Sequence, residues 1–286
     1  MISIGATLSH KNKGEIAGLN LDFIEVKNLE LEFFESTADI LNRFPSKSMH
    51  VQYLPSFGQR LTTLNLVSRE TLEIIKDESS VLYQSYLFLK PRIISFHLCF
   101  SSEEVGTEGI DNHNFAMGRV LSRDETFERI SLSLSTISDQ FRKIGYEGKI
   151  LIENLDYHPT GAYEHICEPG FISETAKHTG CLVLLDVAHT IISSHYFGIH
   201  AVDFVKAIGT DSIYEVHVNS PLYEGGEWYD INKPFYRLPE AEELVRFIVG
   251  QKASGEDKLL LNVECDEEIY EQLRDLEELR HSLIAD

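Results

Sequence analysis

Six residues of metal-binding type stand out because each interrupts an apolar run: His50 in SMHVQYLP, His97 in SFHLCF, Glu153 in ILIENLDYHP, Asp186 in LLDVAH, His217 in EVHVNSP and Glu264 in NVECD. A carboxylate in such a run must be hydrogen-bonded, paired or bound to a cation, because an isolated buried charge costs several kcal/mol or more. A single buried histidine is ordinarily a satisfied core residue, and a single carboxylate there ordinarily caps a helix or pairs with Lys or Arg. Here that bland reading has to hold six times in succession, in a chain with 25 Lys+Arg against 46 Asp+Glu. Imidazole and carboxylate without thiolate argue against structural zinc and for a catalytic divalent site of Fe, Mn or Zn, with Co as a further candidate. More than four ligands predicts two or more ions, bridged by Glu153 or Glu264. His189, three residues beyond Asp186, adds an imidazole where a loop is expected to begin, and Asp230 offers a further oxygen. Glu215, His217 and Asn219 alternate along one run and face one side. Glu25 is read as support for the scaffold and left out of the ligand set. The catalytic roles fall to Glu153, Glu264 and His217, and substrate contacts to His195, Trp228 and Asn219. His10, His178, His200 and His281 read as surface or helix residues, whereas His113, His158 and His165 fall in loops beside a pocket.

The elements that must position these groups are short β-rich runs at Ile2–Leu8, Asp22–Lys27, Ser48–Tyr53, Ile93–Leu98, Lys149–Leu155, Leu182–Val187, Ile213–Asn219 and Lys258–Glu264. Several are almost continuously apolar, the signature of parallel strands covered on both faces. Helical patterns lie between them at Leu29–Phe44, Ser68–Leu87, Asp124–Ile144, Glu168–Thr179, Glu240–Gln251 and Glu267–Ile284. In the third, Phe127, Ile130, Leu134, Ile137 and Phe141 recur at helical spacing, and Gly180 stops the fourth. Eight strands alternating with helices predict an α/β fold, a (β/α)8 TIM barrel, as one domain over residues 1–286. A doubly wound open sheet is the alternative, weakened by the lack of a Gly-rich phosphate fingerprint after an early strand. The ligand candidates would then converge at the strand ends, where barrels keep their active sites. Two stretches expected to be irregular, Cys99–Arg123 (with Asp111, Asn112, His113 and Asn114) and Pro221–Pro239 (with Trp228, Tyr229 and Asp230), follow strands on that same face.

With 286 residues and 43% apolar content the chain can bury a sizeable core. A net charge of −21 repels phosphate backbones, so nucleic acid is a disfavoured partner. No apolar run approaches the roughly 20 residues of a membrane span, and the start MISIGATLSHKNKGE lacks the order of a signal peptide. Cys99, Cys167, Cys181 and Cys265 show no C-x-x-C spacing. A cytoplasmic protein without a membrane partner is expected.

The ordered series His50, His97, Glu153, Asp186/His189, His217 and Glu264 resembles the xylose-isomerase-like TIM-barrel superfamily, which includes sugar isomerases and epimerases, endonuclease IV and the multinuclear non-haem iron-dependent oxidative enzymes (MNIO). The MNIO branch is the nearer likeness. EPGFISETAKHTGCLVLLDVAHTIISSHYFG (168–198) is similar to its fifth-helix and sixth-strand signature, ILIENLDYHP to its strand ending in E-N-P, and FHLCFS to its strand with a single ligand His. CDEEIYEQLRDLEELR resembles the entry to its C-terminal helix. That resemblance implies a centre of two or three iron ions held by His50, His97, Glu153, Asp186, His189, His217, Asp230 and Glu264. It also implies O2-dependent modification of cysteine or nearby residues in a ribosomal precursor peptide, often with a recognition partner protein. The chain departs from the branch at His189, where Asn is common, and at Asp230-Ile-Asn232, where D-T-H is usual. These changes bear on the number of metals.

Two other enzyme classes compete. A sugar isomerase or epimerase would use Zn or Mn and paired carboxylates to move a proton beside a carbonyl. An endonuclease-IV-like phosphodiesterase would carry a zinc cluster; Asp186-x-x-His189 favours it, and the acidic surface and missing basic strip disfavour it. A non-enzymatic scaffold would make the strand-end ligands relics. The aromatic residues Tyr223, Trp228, Tyr229, Phe235 and Tyr236 suit either a binding wall or simple packing of the loop.

Overall fold

The structure, a computed structural model, describes residues 1–27, 29–55, 61–108, 113–253 and 258–284. Its central strands are β1 (Ile2–Leu8), β2 (Phe23–Val26), β3 (Lys47–Val51), β4 (Ile93–His97), β5 (Lys149–Glu153), β6 (Leu182–Asp186), β7 (Ile213–Val218) and β8 (Leu259–Val263). They close into an all-parallel barrel in the order β1-β8-β7-β6-β5-β4-β3-β2, which excludes the open doubly wound sheet.

The near-continuous apolar runs divide between two environments. Outward residues such as Ile152, Leu185, Val216 and Leu261 join the large core under the helices. Inward residues Phe23, Ile93, Leu151, Leu184 and Leu260 form a separate apolar cluster inside the barrel, near the strand starts. Gly5 makes room for this plug, since a Cβ there would lie 2.6 Å from the Phe23 ring. Above the plug the inward positions turn polar, with Thr7, Glu25, His50, His97, Glu153, Asp186, His217 and Asn262 all buried. Alternation along the strands sets inward against outward positions, and the inward ones pass from a mainly apolar lower layer, which also holds Glu215, to a polar upper one.

The structure corrects several sequence expectations. The pattern over Leu29–Phe44 is two helices, Leu31–Ser36 and Ala38–Arg43, parted at Thr37, whose hydroxyl donates to Phe33 O at 2.7 Å. Ser68–Leu87 likewise divides into Arg69–Lys76 and Val81–Leu89. There the Asp77 carboxylate accepts from the Ser79 amide at 2.9 Å and offers the backbone a turn. The run Ser48–Tyr53 leaves the barrel at Val51, and Tyr53–Pro55 pairs with Leu61–Thr63 in a hairpin. The stretches expected to be irregular carry hairpins as well: Val105–Glu108 with His113–Ala116, and Ser220–Glu224 with Glu227–Lys233. The second turns at Gly225 and Gly226, both at positive φ (64° and 96°). Asp111 and Asn112 lie outside the described residues, as does the side chain of His113. His189 does not begin a loop but sits in the first turn of a helix, Val187–Phe197, that starts directly from β6. This helix and the next, Ala201–Ile208, were not anticipated.

Candidate metal centre

Strand register brings the polar residues together. His97 lies opposite Glu153 across β4 and β5, and Asp186 opposite His217 across β6 and β7. Glu153 Oε2 is 3.2 Å from His50 Nε2 and 2.9 Å from His97 Nε2. Its other oxygen is 3.1 Å from His217 Nδ1 and 3.9 Å from His189 Nδ1. His217 Nδ1 is also 3.0 Å from Glu264 Oε2 and 3.6 Å from Asp186 Oδ2. Asp230 reaches in from the hairpin after β7, its Oδ2 3.1 Å from His189 Nε2.

These contacts resolve into overlapping sets whose ligand atoms lie within 4.8 Å of one another: His50–His97–Glu153, Glu153–Asp186–His189, Asp186–His217–Glu264 and Glu25–His50–His217. Glu153 is common to the first two and Asp186 to the second and third. The residues fit metal ions on a further observation. His50 Nε2, Glu153 Oε2 and His217 Nδ1 are buried and make no aligned hydrogen bond, despite their close approaches. They face a common space rather than satisfying one another.

Three of the imidazoles have a ring nitrogen held by an outer partner. His50 Nδ1 is 2.9 Å from Ser95 Oγ, and His189 Nδ1 is 2.8 Å from Asn154 O. His217 Nε2 is 3.0 Å from Glu25 Oε2. Glu25 is itself fixed by Thr7 Oγ1 at 2.8 Å and Asn262 Nδ2 at 2.9 Å. Such outer partners set ring orientation and basicity at metal sites, so Glu25, set aside as scaffold support on sequence grounds, carries an orienting role at His217. Asp186 serves twice. Its Oδ1 accepts from the His189 amide at 2.8 Å and caps the helix, and its Oδ2 accepts from Asn219 Nδ2 at 2.7 Å. Asn219 Nδ2 also lies 3.1 Å from Glu264 Oε2 and 2.6 Å from Asn232 Oδ1. Lys27, which the sequence reading did not single out, forms an ion pair with Glu264 Oε1. Its place just past the end of β2, two residues beyond Glu25, was the one signal for it.

The buried carboxylates and imidazoles shift one another strongly. Burial raises the Glu153 carboxyl, but the imidazoles of His97, His50 and His217 outweigh it and hold the group well below the usual carboxylate range. Burial likewise opposes ionisation of Glu25, yet the charge and hydrogen bond of His217 bring it down to about 2. Asp186 is lowered against its burial by His189 and His217. Burial alone would lower His217 and His189, but Glu25 and Glu153 push the first well above the ordinary value, and Asp186 and Asp230 push the second. His50 goes the other way, because burial dominates Glu153. Below this layer burial and the Glu25 charge push the Glu215 carboxyl well above its usual range.

All the ligand candidates, together with Asn219, therefore converge at one end of the barrel. Two of the expected substrate residues stand at the rim instead. His195 is 45% exposed, lies 3.1 Å from Glu240 Oε2 and stacks on Trp228 with ring centroids 4.6 Å apart. His158 is buried against Asp156 at 2.7 Å, and His165 lies 3.4 Å from Glu168. Neither belongs to a ligand set among the described residues.

A family model described as RiPP precursor modification enzyme MbnB/TglH/ChrH matches residues 57–230, more than half of the chain and most of the ligand candidates. The chain belongs to this family, the MNIO enzymes. Among curated relatives, a UPF0276 protein of Caulobacter vibrioides is 25% identical over 128 residues, 45% of this chain and 42% of that protein. A UPF0276 protein of Paraburkholderia phytofirmans is 25% identical over 93 residues, 32% and 29% of the two chains. The matches thus span less than half the length of these relatives. Solved structures show the fold. Endonuclease IV of Thermus thermophilus superposes with a TM-score of 0.57 at 15% identity, covering 98% of this chain and 99% of that one. A D-tagatose 3-epimerase-like protein gives 0.57 at 14%, covering 98% of each. A xylose isomerase domain protein from Salmonella typhimurium gives 0.54 at 12%, covering 99% and 97%. These are xylose-isomerase-like TIM barrels, and they show the fold that this chain shares. Among the described residues no helix is long and apolar enough to cross a membrane.

Proposed function

We propose that this MNIO enzyme carries out an oxidative modification of a cysteine-containing precursor peptide, at a centre of two or three iron ions held by His50, His97, Glu153, Asp186, His189, His217, Asp230 and Glu264. The observation that carries the reading is the overlap of ligand sets through Glu153 and Asp186, which suits adjacent ions sharing bridging carboxylates. Iron when bound would supply the redox chemistry and open positions for O2 and a substrate thiolate. The chain's own residues do the rest. Ser95, Asn154 and Glu25 fix the imidazoles; Asn219 and Lys27 hold Glu264, and Asn219 also holds Asp186. Tyr223, Trp228 and His195 form an aromatic step beside the centre, with Tyr223 57% exposed, and suit a peptide lying across the mouth. The acidic surface favours a basic peptide segment, delivered with or without a recognition partner, in the cytoplasm.

The test is metal content and iron oxidation state in protein purified without oxygen or chelator, followed by O2 uptake. Two or three iron ions per chain with a ferrous–ferric signal and O2 consumption support the reading. Zinc or manganese with no response to O2 would move the assignment to the phosphodiesterase or the epimerase. No metal after reconstitution would overturn it.

A further inference from the structure

The opposite end of the barrel carries a second feature, unrelated to the metal ligands. A cleft of about 420 Å³ opens beneath the starts of β4, β5 and β7, and its lining includes Lys90, Arg92, Lys149 and Lys258 against a single acid, Glu147. In a chain of net charge −21 such a concentration is unexpected. Elsewhere the cations are commonly matched with acids, as in Arg119–Glu125, Arg123–Glu174, Arg129–Glu103 and Arg280–Glu277. None of the four in the cleft has an ion-pair partner among the described residues. Grouping unpaired cations costs mutual repulsion, which a bound anion would relieve.

The cleft is also rigidly built. Arg92 N donates to Lys47 O at 2.9 Å, and Arg92 O accepts from Lys149 N at 3.1 Å. Tyr146 Oη donates to Lys149 O at 2.8 Å and lies 3.2 Å from Arg92 O. The turn before β5 depends on Gly148, where a Cβ would fall 2.3 Å from Arg92 O. Lys149 Nζ rests over the Tyr214 ring, 4.9 Å from its centroid. The backbone that carries Arg92 and Lys149 is therefore fixed before any ligand arrives, and Tyr86 and Tyr214 add apolar walls.

We propose that this cleft is a binding site for a small anion bearing two or more phosphate groups, gripped by Arg92 and Lys149 with Lys90 and Lys258 at its sides. Arginine offers a planar fork to phosphate and lysine a point charge. The site is remote from the chemistry: Ile93 and His97 mark the two ends of β4, roughly 13 Å apart at strand spacing.

The test is titration calorimetry of the metal-loaded full chain with inorganic tripolyphosphate and with ATP, in buffer free of magnesium. Saturable binding that weakens with added salt is expected. Arg92→Gln/Lys149→Gln should weaken it at least about tenfold, the scale of losing charge-assisted contacts. Lys90→Gln/Lys258→Gln serves as a second variant should the first not fold, and Glu153→Gln should retain binding. Equal affinity for the two probes identifies an oligophosphate site, and tighter ATP binding a nucleotide site using the tyrosine walls. No saturable binding, or binding that survives both double variants, overturns the proposal. Loss in Glu153→Gln alone would place the anion at the metals and overturn it equally.

Discussion

Glu153 is shared by two of the candidate ligand sets, so its removal is the most informative single change. Glu153→Ala takes a carboxylate from two ligand sets and is expected to cut bound metal to background and abolish activity, whereas His178→Ala on the outer Pro169–Thr179 helix should do neither. Metal analysis of the two purified variants settles the point. Glu25→Gln tests the outer role differently: it keeps the shape but loses the charge on His217, and metal affinity should fall about 10–100-fold without unfolding. Chelator competition reads that change. The same pair sets a pH dependence in metal-stripped protein. Glu25, lowered from 4.5 to about 2, contributes stability that is present above 4.5 and lost as pH falls toward 2. His217, raised above 6.5, contributes stability that is present below 6.5 and lost as pH rises through its elevated value. Melting temperature against pH should fall at both ends, and a profile flat between 5 and 2 would count against the pairing. The ligand types were legible because a charge set in an apolar run demands a partner, and few partners suit six such positions at once. The partners of Glu25 and Lys27 were not legible, because Thr7, His217, Asn262 and Glu264 become their neighbours only when the strands lie side by side.

At the scale of elements, Asp186 is the junction. The same carboxylate ends β6, caps the Val187–Phe197 helix and faces the ligand space, so alanine there would confuse loss of a cap with loss of a ligand. Asn caps a helix as well as Asp does. Asp186→Asn, which keeps the cap but loses the charge and sets an amide nitrogen against Asn219 Nδ2, is therefore expected to lower the melting temperature of the metal-free protein less than Asp186→Ala while greatly weakening metal binding; a variant that binds metal normally would restrict Asp186 to capping. This junction explains why the helix escaped the sequence. Its apolar side is continuous with the strand before it, LLDVAHTII, and no Gly or Pro separates them. The barrel strands were legible for the same reason that this helix was not: long apolar runs announce burial but not where one kind of backbone becomes another. The hairpins after β3, β4 and β7 were hidden in turn because their strands are short and their sequences carry no clean alternation.

For the whole molecule, the ligand candidates come chiefly from β3, β4, β5, β6, β7 and the segment after β8, so ions bound there would tie most of the barrel together. Chelation should lower the melting temperature, and an excess of metal near a thousand times the dissociation constant would stabilise the fold by about 4 kcal/mol per site; calorimetry with and without chelator measures it. An unchanged transition would mean that the ions bind outside the barrel. The closed barrel itself was foreseeable from the count and rhythm of its strands, but the layering within it was not, since only the closed register shows Phe23, Ile93, Leu151, Leu184 and Leu260 meeting on the axis. That layer makes the barrel a cup rather than a tube. On the proposed reading peptide, oxidant and product would all pass through one doorway, so a bound product would bar the next substrate. An anion docked under the floor of the cup cannot enter the reaction as a reagent. Any influence it has on the centre must pass through the strands as mechanical strain or as field.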